Sequence, residues 1–175
     1  ELIVTEQSVI RASEGGIRLV QKAVSSERAA VDAVIRIDGQ RDRNLLVNLA
    51  VTTPRRDTIF FQASRFRVPA SGIGTVTIPI ELESPTLWNG VENPYLYNVI
   101  VKVTDQNVTC DSLAVPLGLR YFSVDPKTGF ALNGRPLQLH GVFYYEDRAS
   151  VGPALTEYQI REAIDDMDAM GVNVL

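Results

Sequence analysis

Two-residue alternation over the first 115 residues is the feature that most narrows what this chain can fold into. Val31, Ala33, Ile35 and Ile37 are interleaved with Asp32, Val34, Arg36 and Asp38. Leu45, Val47, Leu49 and Val51 follow the same rule, and Val76, Ile78, Ile80 and Leu82 alternate with Thr77, Pro79 and Glu81. Successive side chains of an extended strand point to opposite faces, so each run offers one apolar face to a core and one polar face to water. Pro79 has no N–H to give to a ladder, which predicts that its strand lies at a sheet edge or a bulge. Tyr95, Tyr97, Val99, Val101 and Val103 form a further strand, opened by Pro94.

Turn-forming residues punctuate these runs at Ser13-Glu14-Gly15-Gly16, Asp38-Gly39-Gln40, Thr53-Pro54-Arg55-Arg56-Asp57 and Ser71-Gly72. About seven or eight strands with short connections predict an antiparallel β-sandwich of immunoglobulin-like type. Cys110 is the single cysteine, which excludes both an intrachain disulfide and the cysteine–tryptophan–cysteine pattern of antibody domains. The basic pairs Arg41/Arg43 and Arg55/Arg56 fall in connections and read as solvated turns rather than as a sugar- or phosphate-binding patch.

Beyond residue 123 the period changes. Phe130-Ala131-Leu132, Asn133-Gly134 and Leu137-Gln138-Leu139 predict a hairpin around an Asn-Gly turn. A helix follows: Thr156 and Gln159 have the spacing of a capping box, and Ile160, Ala163, Ile164, Met167 and Met170 share one face. Gly171 stands where a helix C-cap belongs, and Val172–Leu175 begins another apolar strand. Strand, loop, helix and strand make the opening unit of a parallel α/β fold. One such unit cannot close a barrel, so the face of Ile160, Ile164 and Met167 must find an apolar partner of its own.

Charge and motif content exclude several function classes. A net charge of −4 provides no basic field for a nucleic acid. No apolar run approaches the ~20 residues of a membrane helix. His140 is the only histidine, so no metal site is expected and a hydrogen-bonded structural role is favoured. No G-x-S-x-G elbow supports serine chemistry. Asp165, Asp166 and Asp168 lie off the helix's apolar stripe and read as a solvated face.

Two stretches carry a resemblance. The first holds Gly118 and Arg120, Gly129-Phe130, Leu132-Asn133-Gly134, Gly141-Val142 and Asp147; the second holds Leu87-Trp88 and Asn93-Pro94-Tyr95-Leu96-Tyr97. Together they resemble glycoside hydrolase family 2, the β-galactosidase, β-glucuronidase and β-mannosidase group. The resemblance implies three pieces: 1–7 as the end of a preceding sugar-binding-like domain, 8–122 as the sandwich, and 123–175 as the start of a catalytic (β/α)8 barrel. In the second stretch Trp88 and Tyr95 read as packing residues, with a Trp88/Tyr97 carbohydrate platform as the alternative.

Retaining hydrolysis needs two carboxyl groups about 5 Å apart across the scissile bond. The resemblance implies that both catalytic glutamates lie beyond Leu175, so no residue here is expected to be catalytic and the chain alone is expected to be inactive. Glu146 and Asp147 are adjacent and cannot converge on one point. Substrate-binding candidates are Asp147, which is retained from the family's Gly-Val-Asn/Ser-x-His-x-Asp pattern, and Tyr145, which stands where that pattern has His. Phe143 departs from it as well. Asp147 could orient sugar hydroxyls, or it could cap or pair with Arg148.

The implied parent hydrolyses terminal β-glycosides, β-galactosides first, with β-glucuronides and β-mannosides as alternatives. A non-catalytic binding module is the reading from another class. No cofactor or metal is implied. The expected partner is a carbohydrate substrate, not nucleic acid or membrane, and a homo-oligomer is allowed. A periplasmic or secreted setting is favoured over a cytoplasmic one.

Overall fold

The computed structural model describes residues 8–11, 16–149 and 151–175. These fall into two compact units, one within Glu1–Asn89 and Asn93–Tyr121, the other within Gly90–Glu92 and Phe122–Leu175. The expected segment 1–7 and the turn residues Ser13, Glu14 and Gly15 lie outside the described residues.

The first unit holds β1 (Val9–Ile10), β2 (Ile17–Val24), β3 (Arg28–Asp38), β4 (Asn44–Thr52), β5 (Thr58–Arg67), β6 (Ile73–Glu83), β7 (Tyr97–Asp105) and β8 (Val108–Leu117). They form two antiparallel sheets. In one, β3 is central, with β6 on one side and β2 and β1 on the other; the second has the order β5-β4-β7-β8. Both sheets contribute to a single apolar cluster, including Val31, Ile35 and Ile78 from the first and Leu49, Val99 and Val101 from the second. That shared core makes the unit a β-sandwich.

The alternation explains the register. Ile78, Ile80 and Leu82 are buried and Val76 packs half-buried against them, while Thr75, Thr77 and Glu81 are exposed. Pro79 sits opposite Asp32 in an edge strand, where its missing donor leaves no ladder bond unmade. Tyr95 corrects the expected strand: β7 begins at Tyr97, and Tyr95 precedes it with its ring edge-on to Tyr97 at 5.0 Å. Arg43 also differs from the solvated-turn expectation. It is half-buried and pairs with Asp105 at 3.4 Å, tying the turn before β4 to the end of β7.

Two-residue turns close two hairpins. Gln106 and Asn107 join β7 to β8 at φ of 47° and 69°, both in the left-handed region that such turns require. The predicted Asn133-Gly134 turn does the same at φ of 51° and 77°. It joins β10 (Gly129–Leu132) to β11 (Arg135–Pro136), and β9 (Phe122–Asp125) pairs with the other side of β10. The second arm is shorter than predicted: after Pro136 only the Leu137 N–H continues the ladder, donating to Phe130 O at 2.9 Å. Asp125 holds the β9–β10 turn by accepting from the N–H groups of Thr128 and Lys127 at 2.9 and 2.8 Å. Those bonds, Thr128 first, stabilise the charged form and hold the carboxyl below the usual carboxylate range.

Candidate functional site

The second unit places the predicted site residues on one loop between a strand-like segment and a helix. Helix α1 (Glu157–Ala169) starts where the capping box predicts. Thr156 Oγ1 accepts from the Gln159 N–H at 3.3 Å, and Gln159 Oε1 accepts from the Thr156 N–H at 2.9 Å. At the other end Gly171 adopts φ 78°, allowing its N–H to reach Asp168 O at 2.8 Å and that of Val172 to reach Met167 O at 3.0 Å. This is a Schellman closure, for which a β-carbon at residue 171 would be strained.

The chain then returns beside the segment that precedes the loop. Gly141 and Val174 form a parallel bridge, with the Val142 N–H donating to Val174 O at 3.2 Å and the Asn173 N–H to His140 O at 3.0 Å. Asn173 extends the pairing through its side chain, which accepts from the His140 N–H at 2.8 Å and donates to Gln138 O at 2.9 Å. His140 thus acts through its backbone here, and its side chain is exposed. Asn173 escaped the sequence reading because nothing in its neighbours marks a side chain that substitutes for backbone pairing.

Between these anchors the loop presents its candidates to solvent. Tyr145 is 80% exposed and Phe143 95%, whereas Tyr144 between them is half-buried. Glu146 and Asp147 are exposed, and the Asp147 N–H donates to Tyr145 O at 2.7 Å in a tight local turn. Arg148 does not pair with Asp147 as one expectation had it. Its guanidinium bonds Glu162 Oε2 at 2.8 Å and Gln159 O at 3.5 Å, fixing the far side of the loop to the helix. Tyr145 and Asp147 thus lie two residues apart, joined by that backbone bond, on the loop that follows the Gly141–Val174 bridge. Among the described residues no group of three or more His, Cys, Asp or Glu could hold a metal ion.

The other motif residues have packing explanations within the sandwich unit. Arg120 lies over the Trp88 ring with its guanidinium 4.9 Å from the centroid. The Trp88 N–H donates to Leu119 O at 2.8 Å. A β-carbon at Gly118 would stand 3.1 Å from Leu96 and 3.3 Å from Trp88, so glycine lets the two motif stretches meet. Gln21, which sequence reading missed, clips this corner from β2: it donates to Gly118 O at 3.1 Å and accepts from the Arg120 N–H at 3.3 Å. Tyr97 is only 3% exposed and its hydroxyl accepts from the Thr86 N–H at 2.8 Å. A Trp88/Tyr97 sugar platform is thereby excluded, because the Tyr97 ring is inside the core.

Both the sequence and the fold of this chain are similar to those of known proteins. The sequence profile of Glycosyl hydrolases family 2 matches residues 16–120, and the chain belongs to that family. A β-glucuronidase of Bacteroides fragilis is 32% identical over 99% of this chain and 26% of the relative. A β-galactosidase of Bacteroides ovatus is 33% identical over 55% of this chain and 11% of its own length. Among solved structures, a Bacteroides fragilis protein superimposes with a TM-score of 0.92 at 25% identity, covering 97% of this chain and 26% of that one. A Bacteroides uniformis β-glucuronidase gives 0.86 at 23% identity over 97% of this chain and 21% of its own, a likeness of fold. The chain thus spans about a quarter or less of the length of these proteins.

Proposed function

We propose that this chain is part of a longer retaining glycosidase that removes terminal β-linked sugars. In this reading, 8–122 is an immunoglobulin-like sandwich domain, 123–175 opens a (β/α)8 catalytic barrel, and 1–7 ends a preceding sugar-binding-like domain. The observation that supports it is the parallel Gly141–Val174 bridge, followed by the loop of Tyr145 and Asp147 and then a helix, in a chain of this family. Asp147 accepts from sugar hydroxyls and Tyr145 contributes its ring face or hydroxyl. The proton donor and the nucleophile come from elsewhere in the longer protein, since nothing in this loop can place two carboxyl groups across one bond.

A β-galactoside is the substrate we put first. A β-glucuronide is a specific second reading, favoured by the relative of that name that aligns with nearly all of this chain. A non-catalytic sandwich module is disfavoured by the capped amphipathic helix and its parallel pairing, for which a binding sandwich has no use.

Assays of the full-length protein on nitrophenyl β-galactoside, β-glucuronide and β-mannoside test the proposal. Turnover of at least one is expected, with none by the 175-residue chain alone. In the full-length protein Asp147→Ala should lower kcat/KM by roughly ten- to hundredfold, the worth of charge-assisted hydrogen bonds. No turnover of any β-glycoside by the full-length protein would overturn the reading. Turnover by the chain alone, lost on Glu146→Ala or Asp147→Ala, would instead overturn the placement of the chemistry.

A further inference from the structure

We infer that Asn173 is a positioning residue for Asp147, its carboxamide standing in for a backbone unit in the pairing that leads into the Asp147 loop. The inference rests on the glycosidase reading above and adds to that site a residue that acts without touching the sugar.

The register shows which bonds are replaced. In a parallel bridge the central residue donates its N–H to one side of its partner and accepts at its C=O from the other. At the Gly141–Val174 bridge these are the Val174 N–H to His140 O at 3.3 Å and the Val142 N–H to Val174 O at 3.2 Å. The next bridge back would join Leu139 to Val172, with Val172 donating to Gln138 O and accepting from the His140 N–H. That donor is already spent, because the Val172 N–H closes the helix end on Met167 O at 3.0 Å. The Asn173 side chain makes both bonds instead. Its Nδ2 donates to Gln138 O at 2.9 Å, and its Oδ1 accepts from the His140 N–H at 2.8 Å. A primary amide suits the task because, like a peptide unit, it carries a donor and an acceptor on one plane.

The consequence falls on the loop. With one backbone bridge alone, segment 138–142 would be held only near Gly141; the carboxamide extends the hold back to Gln138. The loop leaves this segment after Val142, and at its far side Arg148 is bonded to α1 through Glu162 Oε2 at 2.8 Å and Gln159 O at 3.5 Å. Asp147 therefore takes its place from two anchors, and Asn173 supplies part of the first. A shift of about an ångström at a binding group costs up to about a hundredfold in rate.

The test is a double-mutant cycle in the full-length protein, read as kcat/KM on the glycoside it turns over. Asn173→Ala should lower kcat/KM by about ten- to hundredfold, and by no more than Asp147→Ala does. With Asp147→Ala already in place, the same change should cost less than about twofold, whereas independent sites would add in full. If Asn173→Ala yields no folded enzyme, Asn173→Asp takes its place in the cycle, since it keeps the shape and the acceptor but not the donor to Gln138 O. Hydrogen exchange over residues 138–142 should rise in the Asn173 variant and stay unchanged in β3 and β7. Equal fold losses in the two backgrounds overturn the inference whatever the melting temperature, because Asn173 would then serve stability alone. Unchanged exchange over 138–142 overturns it too. An enzyme that turns over glycosides with additive losses sinks only the role of Asn173. A protein that turns over none sinks the glycosidase reading, and this inference with it.

Discussion

In the sandwich unit Ile35, Leu49 and Val101 have no exposed surface, whereas in the second unit Ile164 on the helix is 45% exposed and Met170 at its C-cap 69%. Among the described residues of the second unit, only Leu132 and Met167 are buried hydrophobics. Both units carry apolar residues at the right period, so pattern alone does not separate them. The difference lies in what each pattern has to pack on. Every strand of the sandwich meets a facing sheet that the same unit supplies. The helix has one short parallel pairing beside it, and its stripe is covered only at Met167, with Ile160 and Ala163 half-buried. A period therefore states which face wants burial, and the neighbouring elements decide whether it gets it.

The largest effect that would break this comparison is in the core. Leu49→Ala should destabilise the sandwich by about 2–5 kcal/mol, as fully buried leucines do. Met170→Ala should change stability by less than about 0.5 kcal/mol, because the side chain is already in water. Denaturant unfolding of both variants checks the contrast, and equal losses would mean that the helix stripe is covered by something outside the two units.

A smaller effect sharpens the account of the helix. Thr156→Ala removes the acceptor for the Gln159 N–H and should cost about 1 kcal/mol of local stability. Amide exchange is the readout: protection should fall in the first turn of α1 and stay unchanged in β3 and β7. Loss of protection across the sandwich would show that the two units unfold as one.

The smallest effect concerns pH. The carboxyl of Asp125 is held low by the Thr128 and Lys127 N–H groups, so its charged form favours the folded turn. That contribution is present above the ordinary carboxylate pKa and is lost as pH falls through the lowered folded value. The β9–β10 turn should loosen on acidification, and Asp125→Asn should flatten the dependence, as followed by chemical shifts of Thr128. A turn that tightens as pH falls would contradict the geometry.

Alone, the sequence determined which residues face the core, because a two-residue period leaves no freedom once one face is buried. It likewise determined the Asn133-Gly134 turn and both ends of α1, each set by local backbone chemistry, while Pro79 left an edge or a bulge open and the unbroken pairing of β6 with β3 decided for the edge. It also carried the family, through motif stretches at Trp88 and Gly118–Arg120. Contacts far apart in sequence needed the tertiary structure. Gln21 reaches residues 118 and 120, Arg43 pairs with Asp105, and Asn173 closes onto Gln138 and His140. No local pattern encodes these, since each depends on two segments being brought together by packing elsewhere. The same limit applies to Tyr97 and Arg148. A tyrosine in an alternating run fits a core or a platform equally well, and only the facing sheet buried it. An arginine beside an aspartate has a partner in reach, yet the helix offered Glu162 in better geometry.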